Sequence, residues 1–336
     1  MKVGVRRAAA LLTAAIIFVS SGCTGGPSNE TFQPVTVLTG FGTLGQDAWL
    51  DVAIERGYFK SVGLEVTVRP GKGTANNLTV LTGHQADFAI VDMTGAIIAA
   101  SQHPDYNFRA LAAIYQRSVS TITTLPGTGI TSPKDLAGRT IAYQPGGVNH
   151  TLFPAYAAKA GLDATAIASI QWRQVAPDQI RQALATRTVD AITETVVGKP
   201  GVRAATGRDP VVLPYSDYLS DLYGNVLVAP ADSDRDLVRR FRTAATRGLA
   251  DAMDNPDSAG RIFAIRHPGY PAQVATEEIK LMNSYVRVNG EIGQIELNRV
   301  MRSISLLQSL GNVKDGLWPE QLVRQPPFGI MVGVRG

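Results

Sequence analysis

Apolar and polar positions near the start of the chain form two alternating patterns. Short runs rich in β-branched residues predict buried strands at Val35–Leu38, Leu64–Val68 and Phe88–Val91. Between these runs, apolar residues at helical spacing predict helices that begin near Ala48 and Asn76 and end before a glycine. Strand and helix therefore alternate, which is typical of a parallel sheet covered by helices.

The same pattern recurs further along the chain. Strands are predicted at Thr140–Tyr143, Ile170–Val175 and Val189–Ile192, with helices between them. Thr140 and Asp190 in this second unit occupy the places that Thr36 and Asp87 hold in the first. The repeat predicts two similar open α/β sheets, each with ligand-binding loops at the carboxyl ends of its strands. Two such edges that face each other form a cleft.

Further β-rich stretches, which include Thr121–Leu125 and Val226–Ala229, predict the strands on which the chain crosses between lobes. We therefore expect one lobe from residues 34–119 and 226–336, and the other from 120–225. Apolar positions repeat every four residues in the C-terminal part, which predicts helices that brace the lobes.

Length and charge agree with this two-lobed interpretation. The chain has 336 residues, and single cores seldom grow beyond about 250–300 residues. The formal net charge of +4 includes Lys2, Arg6 and Arg7 of an expected leader, which leaves +1 for the mature chain. Basic residues are not interleaved with aromatic ones in any run, so the sequence gives no indication of nucleic-acid binding.

The first residues predict export. An apolar run over Ala8–Val19 is too short for a bilayer, which needs about 20 residues. Ser20-Ser21-Gly22-Cys23 follows it and is similar to a bacterial lipobox. We predict a lipoprotein signal peptide over 1–22, lipidation of Cys23 and a flexible tether over 23–33. The protein is then extracytoplasmic and anchored to the bacterial cell membrane. An ordinary secretory signal with an incidental cysteine is the alternative.

Motifs for catalysis and metal binding are absent from the sequence. There is no HExxH, CxxC or GxSxG, and the four histidines have no metal-ligand spacing. The segment Gly71–Thr74 lacks the spacing of a phosphate-binding loop. We therefore expect a binding protein that uses no metal or cofactor, rather than an enzyme.

The candidate site lies in the loops that follow the strands. Loops enter helices at Thr74, Thr94 and Asn149, and free N–H groups there suit an anion or a carbonyl-rich ligand. Asp92 and Glu194 each follow the third strand of a unit, where a carboxylate accepts hydrogen bonds from a ligand amino group. Nearby aromatic rings suit a planar ligand. The predicted ligand-binding residues are Phe41, Gln46, Gly73, Thr74, Asp92, Thr94, Tyr115, Gln116, Gly146, Gly147, Asn149, Glu194, Tyr215 and Tyr223.

Three segments resemble a known family. Glu55–Val66 resembles the "kGyFkeeGLdVe" signature of ABC-transporter substrate-binding proteins, in the branch for nitrate, sulfonate, taurine and thiamine pyrimidine precursors. Gly83–Val91 and Ile130–Arg139 resemble its "G.aDfai" and "I.spkDLkGk" segments. The resemblance implies a type 2 periplasmic-binding fold with two crossover strands. It also implies a monomer that delivers a small ligand to a permease driven by a cytoplasmic ATPase.

Several functions remain open at this stage. The leading hypothesis is a lipid-anchored receptor for a small heterocycle, such as a pyrimidine precursor of thiamine. Aromatic residues gather at the predicted cleft, and among the basic residues only Lys72 and Arg117 lie near it, whereas a charged anion is expected to need more. A receptor for nitrate, a sulfonate or taurine is the first alternative. An enzyme of pyrimidine metabolism on the same fold, with Asp92, His150 or Glu194 as catalytic group, is the second. A lipoprotein that senses a ligand for a partner receptor is the third.

Overall fold

The computed structural model describes Met1 and residues 31–145, 147–176, 178–287 and 291–324. The chain divides into two units, Met1–Thr31 and Phe32–Gly336. The predicted signal peptide, Cys23 and most of the tether lie outside the described residues, as does Gly146. Within the described ranges, no helix is both long enough and apolar enough to span a bilayer.

The second unit contains two five-stranded sheets and a short two-stranded one. The strands are β1 (Gln33–Leu38), β2 (Phe41–Gly42), β3 (Leu64–Arg69), β4 (Gly71–Lys72), β5 (Phe88–Asp92), β6 (Phe108–Ala113), β7 (Ser120–Thr124), β8 (Thr140–Tyr143), β9 (Gln171–Gln174), β10 (Ala191–Thr195), β11 (Val211–Pro214) and β12 (Asn225–Pro230). The spatial orders are β3-β1-β5-β12-β6 and β11-β7-β10-β8-β9. Each large sheet forms the centre of one lobe.

Helices cover both sheets and fill the C-terminal part of the chain. They are α1 (Ala48–Glu55), α2 (Thr74–Thr82), α3 (Met93–Gln102), α4 (Val148–Lys159), α5 (Ala164–Ala168), α6 (Ile180–Ala185), α7 (Lys199–Thr206), α8 (Arg235–Asp254), α9 (Pro256–Arg266), α10 (Ala272–Val286), α11 (Leu297–Ser309) and α12 (Pro319–Leu322). Short 3₁₀ helices span Gly45–Asp47, Lys60–Val62, Pro133–Leu136, Val196–Gly198 and Tyr215–Asp217.

Strand directions confirm the two crossovers. In the first lobe β3, β1 and β5 are parallel, and in the second lobe β9, β8 and β10 are parallel. The crossover strands β12 and β7 run antiparallel to their neighbours in the first and second sheets, respectively. The predicted parallel strands are present in each sheet, and each crossover strand runs antiparallel to them because it enters its sheet from the opposite lobe. The chain has the periplasmic-binding fold.

The repeated residues of the two units make the same contact. Asp87 Oδ2 accepts a hydrogen bond from the backbone N–H of Thr36 at 2.7 Å. Asp190 Oδ2 accepts one from the N–H of Thr140 at 2.8 Å. In both lobes a carboxylate just before the third parallel strand thus satisfies an N–H of the first parallel strand. The bond gives a partner to a backbone N–H of an interior strand, which is a reason to repeat the same residue types.

The hydrophobic cores lie on the faces of the sheets. One cluster packs the first sheet against α1, α8, α9 and α10, with the ring of Phe88 stacked on Phe241 at 3.8 Å between centroids. A second cluster covers the opposite face of the same sheet with α2 and α3, and extends to α4 of the second lobe. Apolar contacts therefore run from one lobe into the other beside α3 and α4.

Two segments differ from the sequence-based expectation. The segment predicted as a tight loop before Thr74 contains β4, whose Lys72 pairs with Phe41 of β2. This pairing fixes the loop after β1 against the start of α2. Helix α9 has no counterpart among the predicted helices, and it packs closely on α10.

Candidate ligand-binding cleft

A cavity of about 250 Å³ lies between the two lobes. The first lobe lines it from α2, α3 and the loop after α3, with Thr74, Ala75, Gly95, Ile98, Ala99, Gln102, His103 and Tyr106. The second lobe lines it from β8, α4 and the loop between them, with Tyr143, Gln144, Gly147, Val148, His150 and Thr151. None of these lining residues is a lysine or an arginine.

Three helix N-termini meet at this cavity. Thr74 is the first residue of α2, Gly95 lies in the first turn of α3, and Gly147 is the N-cap of α4. The first N–H groups of a helix lack partners within the helix and carry partial positive charge. At α3 the N–H groups of Thr94 and Gly95 donate to the Asp92 side chain, whereas no side chain caps α2 or α4. The N-termini of α2 in the first lobe and α4 in the second can therefore offer hydrogen-bond donors to a ligand without a charged side chain.

Close contact between the lobes depends on Gly95. A Cβ atom on Gly95 would lie 2.7 Å from Cγ1 of Val148 in the second lobe and 2.9 Å from Cγ2 of Thr74. Real Cβ atoms do not approach other carbons so closely, so only glycine permits this packing of α3 on α4. The contact between Gly95 and Val148 joins the two lobes at the edge of the cavity, which both residues line.

The first-lobe wall is fixed by the junction of β5 and α3. Asp92 Oδ1 accepts hydrogen bonds from the N–H groups of Thr94 at 2.9 Å and Gly95 at 3.1 Å. The N–H of Asp92 in turn donates to Thr74 Oγ1 at 3.0 Å. Burial raises the pKa of Asp92 to about 6, while the hydrogen bonds from Gly95 and Thr94 act in the opposite direction. Asp92 and Thr94 therefore support Thr74 and Gly95 from behind the cavity wall.

The second-lobe wall is fixed by Asn149. Its Nδ2 donates to the carbonyl oxygens of Glu194 at 2.9 Å and Thr121 at 3.4 Å. The start of α4 is thereby tied to β10 and β7. Glu194 accepts a hydrogen bond from Arg181 Nε at 2.9 Å and one from the N–H of Thr195 at 2.9 Å. Both oxygens of the Glu194 carboxylate thus have partners within the second lobe.

Aromatic and imidazole rings form two walls of the cavity. His103 and Tyr106 of the first lobe stack with centroids 4.7 Å apart, and Tyr143 and His150 of the second stack at 4.3 Å. The edge of Trp172 packs on His150 at 4.4 Å. Desolvation lowers the pKa of His150, which favours its neutral form. The cavity therefore presents flat ring surfaces from both lobes.

The sequence indicated His150 as a candidate catalytic group, and His150 does line the cavity, but the sequence did not point to the other rings. Tyr143 is the last residue of β8 and could have been found from the rule that ligands contact strand ends. Tyr106 and His103 follow α3, at the opposite end of the helix from the strand-end loop, and no pattern in the sequence marks them.

Three of the four predicted aromatic residues, Tyr115, Tyr215 and Tyr223, are buried away from the cavity, and the fourth, Phe41, is partly exposed in β2 and also outside the lining. Tyr115 is fully buried and donates to Gln46 Oε1 at 3.1 Å. Tyr215 stacks on Tyr156 at 4.1 Å and donates to the Asn149 carbonyl. None of these side chains lines the cavity.

The remaining predicted residues also contact the protein itself. Tyr223 lies under the Arg299 guanidinium at 4.0 Å, and its hydroxyl accepts from the N–H of Glu296. Gln116 Nε2 donates to the Gln294 carbonyl at 2.9 Å. Gly73, the N-cap of α2, has a φ of 90° that favours glycine. Of the predicted set, Thr74 and Gly147 line the cavity, and a ligand-binding role stays a prediction for every member of the set.

In the described part of the chain, no group of three His, Cys, Asp or Glu residues is arranged to hold a metal ion. The two histidines of the cavity, His103 and His150, each stack on a tyrosine of their own lobe. The groups available in the cavity are thus hydrogen-bond donors and acceptors and aromatic surfaces.

Comparison with known proteins assigns a family and a fold. The sequence model of the family described as "NMT1/THI5 like" matches residues 48–259. A formylaminopyrimidine-binding protein from Halalkalibacterium halodurans is 24% identical over 258 residues, which cover 74% of this chain and 75% of that protein.

Solved structures share the fold at low identity. The alkanesulfonate-binding protein SsuA from Xanthomonas axonopodis pv. citri, bound to MOPS, has a TM-score of 0.68 and 14% identity, covering 87% of this chain and 98% of that one. The desulfurization enzyme DSZB has a TM-score of 0.58 and 14% identity, covering 86% and 96%. These likenesses establish the fold, which therefore occurs in both a binding protein and an enzyme.

Proposed function

The chain belongs to the NMT1/THI5-like family, and we propose that it is the substrate-binding component of an ABC importer. The observation that carries this proposal is the cavity of about 250 Å³ whose walls come from both lobes. A ligand in that position contacts both lobes at once and therefore favours their closed arrangement. The closed receptor docks on a permease that a cytoplasmic ATPase drives.

We propose a small planar heterocycle of the thiamine pyrimidine precursor type as the ligand. The stacked pairs His103–Tyr106 and Tyr143–His150 offer flat ring surfaces from opposite lobes. Cavities for drug-sized ligands occupy roughly 300–1,000 Å³, so a cavity of about 250 Å³ suits a smaller molecule. The similarity to a formylaminopyrimidine-binding protein supports the same ligand class.

A receptor for a sulfonate, taurine or nitrate is the second candidate. The helix N-termini at Thr74 and Gly147, which no side chain caps, favour it, because such N-termini bind anions. The absence of lysine and arginine from the lining residues disfavours it, since charge-assisted hydrogen bonds from cations are the strong contacts to such anions.

A thermal-shift screen separates these candidates. Purified protein is heated with formylaminopyrimidine, other aminopyrimidines, taurine, an alkanesulfonate or nitrate. A ligand at one hundred times its Kd stabilises the folded form by about 2.7 kcal/mol, which shifts the melting temperature measurably. We expect stabilisation by a pyrimidine. Stabilisation by sulfonates or nitrate alone would overturn the heterocycle and support the anion receptor.

An enzyme on the same fold is the third candidate, because DSZB shares the architecture. Asp92 caps its own helix and Glu194 is paired with Arg181, so neither carboxylate is free to act as an acid or base in the cavity. Mass spectrometry of the ligand after incubation with the protein tests this. A transformed ligand would contradict the receptor function.

We propose that the mature protein is a monomer held outside the cytoplasm by a lipid on Cys23, with the residues up to 33 as a tether. Incorporation of labelled palmitate into the wild type, and its loss in Cys23→Ser, is the expected result. An unlabelled wild-type protein would leave an ordinary secretory signal as the explanation.

The lobe boundaries at 119/120 and 225/226 are part of the same proposal. Loss of uptake on deletion of the gene separates a transport receptor from a sensor.

A further inference from the structure

Helix α10 contacts both lobes, and none of its residues is among those that line the cavity. It packs on α8, α9 and the 3₁₀ helix Gly45–Asp47 in the first lobe. It also packs on α7 and the 3₁₀ helix Val196–Gly198, which follow β10 in the second lobe. Separation of the lobes must therefore break the contacts of α10 with one lobe or the other.

Two consecutive glutamates of α10 face the second lobe. Glu277 forms an ion pair with Arg203 of α7, and both side chains are partly exposed. Glu278 is only 1% exposed. The two acids differ in their surroundings, because the first keeps contact with solvent while the second is enclosed where the lobes meet.

Contacts from the first lobe hold the Glu278 carboxyl. Tyr270 Oη lies 2.8 Å from each of its oxygens and donates its single hydrogen to one of them. A Cβ on Gly45 would lie only 2.6 Å from Glu278 Oε2, so the chain at Gly45 packs directly on the carboxyl group. Asp47, which is also buried, is the acidic neighbour from the same 3₁₀ helix.

The second lobe places Arg181 and Glu194 beside this group. The guanidinium of Arg181 packs against the backbone of Gly198 and Gly201. A Cβ on Gly198 would lie 3.1 Å from its Nη2, and a Cβ on Gly201 would lie 2.1 Å from its Nη1. The same guanidinium forms an ion pair with Glu194. Arg181 is therefore already committed to one carboxylate. The titratable groups that face Glu278 are thus Tyr270 and Asp47 from the first lobe, and Arg181 and Glu194 from the second.

Enclosure disfavours the charged form of Glu278. Burial raises its pKa to about 7 from an ordinary value of 4.5, and Glu194 acts in the same direction, while Arg181 and Tyr270 oppose the rise. When the lobes separate, water replaces the second lobe around the carboxyl group. Its pKa then falls back towards the ordinary value.

We propose that α10 is a latch between the lobes, and that Glu278 takes up a proton when the lobes close. The closed form binds more protons than the open form in the pH range between the two pKa values of Glu278. Low pH therefore favours the closed form. The contribution of Glu278 protonation to the free energy of closure is lost as the pH rises through about 7. The latch acts in addition to whatever ligand the cavity binds.

Small-angle X-ray scattering of the purified protein, without added ligand, tests the proposal. The radius of gyration is measured from pH 5 to pH 8.5 and converted to the ratio of open to closed molecules. We expect this ratio to rise roughly 10-fold to 100-fold in the wild type. Since no ligand is used, the outcome is independent of the proposed transport function.

Three variants identify the group that titrates. Glu278→Gln mimics the protonated form, and its open-to-closed ratio should change less than twofold over the same pH range. Glu277→Gln should favour the open form by the same factor at every pH. Glu65→Gln, at an exposed position of the edge strand β3, should keep the wild-type profile. Circular dichroism melting shows whether each variant is folded.

A change in the second lobe provides an independent check. Arg181→Gln removes the cation that opposes the raised pKa of Glu278, so the midpoint of the pH profile should move to higher pH. A flat wild-type profile would overturn the proposal, as would a wild-type profile in Glu278→Gln. Loss of the pH dependence in Asp47→Asn but not in Glu278→Gln would also overturn it.

Discussion

The side chain of Val148 in the second lobe occupies the space beside the Cα of Gly95 in the first, so that any Cβ on Gly95 would lie 2.7 Å from Val148 Cγ1. The closed arrangement of the lobes thus depends on the absence of one side chain. This contact and the cavity share the N-termini of α3 and α4. Closure and ligand binding are therefore coupled at the same place.

Substitution Gly95→Ala should weaken ligand binding. Overpacking of a close contact costs roughly 1–3 kcal/mol, which predicts a loss of affinity of roughly 5-fold to 150-fold in a calorimetric titration with the ligand from the screen. The double variant Gly95→Ala/Val148→Ala removes the clash between the lobes but keeps the one with Thr74, so it should recover part of the affinity. Equal losses in the single and double variants would show that contact between the lobes is not the cause.

Substitution Tyr143→Ala should also reduce affinity. Stacking between aromatic rings contributes roughly 0.5–1.5 kcal/mol beyond the area buried, so a planar ligand should bind roughly 3-fold to 10-fold more weakly. Tyr143→Phe keeps the ring and should bind nearly as the wild type does. If both variants bind equally well as the wild type, the ligand does not contact this wall.

Asn77 should be essential for the stability of the first lobe. The residue is fully buried, its Nδ2 donates to the carbonyl oxygens of Thr39 at 2.8 Å and Ile90 at 2.9 Å, and its Oδ1 accepts from the N–H of Lys72. Loss of a buried side chain that satisfies several backbone groups costs roughly 1–3 kcal/mol for each group left unpaired.

Urea denaturation measures this effect. Asn77→Ala should lower the free energy of unfolding by roughly 3 kcal/mol or more. The neighbouring Asn76 is exposed on the same helix, and Asn76→Ala should change stability by less than about 0.5 kcal/mol. Similar values for the two variants would contradict the role of Asn77 as the connection between β1, β4 and β5.

Asp135 should make stability depend on pH. Its Oδ2 accepts hydrogen bonds from the N–H groups of Thr131 at 3.0 Å and Ser132 at 2.9 Å, and these bonds lower its pKa to about 2 from 3.8. A lowered pKa gives stability that is present above pH 3.8 and is lost as the pH falls through 2.

The melting temperature of Asp135→Asn checks this prediction. It should lie below that of the wild type at pH 7, and the difference should shrink as the pH falls towards 2. Asp105→Asn, at an exposed position outside this turn, should match the wild type throughout. A difference for Asp135→Asn that persists at pH 2 would show that the carboxylate charge is not responsible.

Local sequence patterns were sufficient for much of the fold. The β-branched runs and the repeated Thr and Asp positions predicted two α/β units, and the equivalent bonds of Asp87 and Asp190 explain the repeat. The family-like segment Ile130–Arg139 contains the turn that Asp135 caps. Such features involve residues close in sequence or at matching places in a repeat, so a pattern can reveal them.

Other features depend on contacts that no local pattern contains. Helix α9 was missed because Gly260 interrupts its apolar residues. A Cβ there would lie 2.1 Å from Thr276 Oγ1, so the glycine permits close packing with α10 and does not end the helix. Tyr215 was expected in the cleft, but its ring stacks inside the second lobe on Tyr156. The partner of a buried ring is a tertiary property.

Isothermal titration calorimetry with formylaminopyrimidine tests the central claim most directly, since it measures whether this protein binds a small heterocycle without altering it. We predict one saturable site with a Kd at or below about 10 μM, which corresponds to a binding free energy of about −6.8 kcal/mol or stronger, and recovery of unchanged ligand. The absence of binding by any pyrimidine, together with saturable binding of a sulfonate or nitrate, would contradict the account, and so would recovery of a transformed compound.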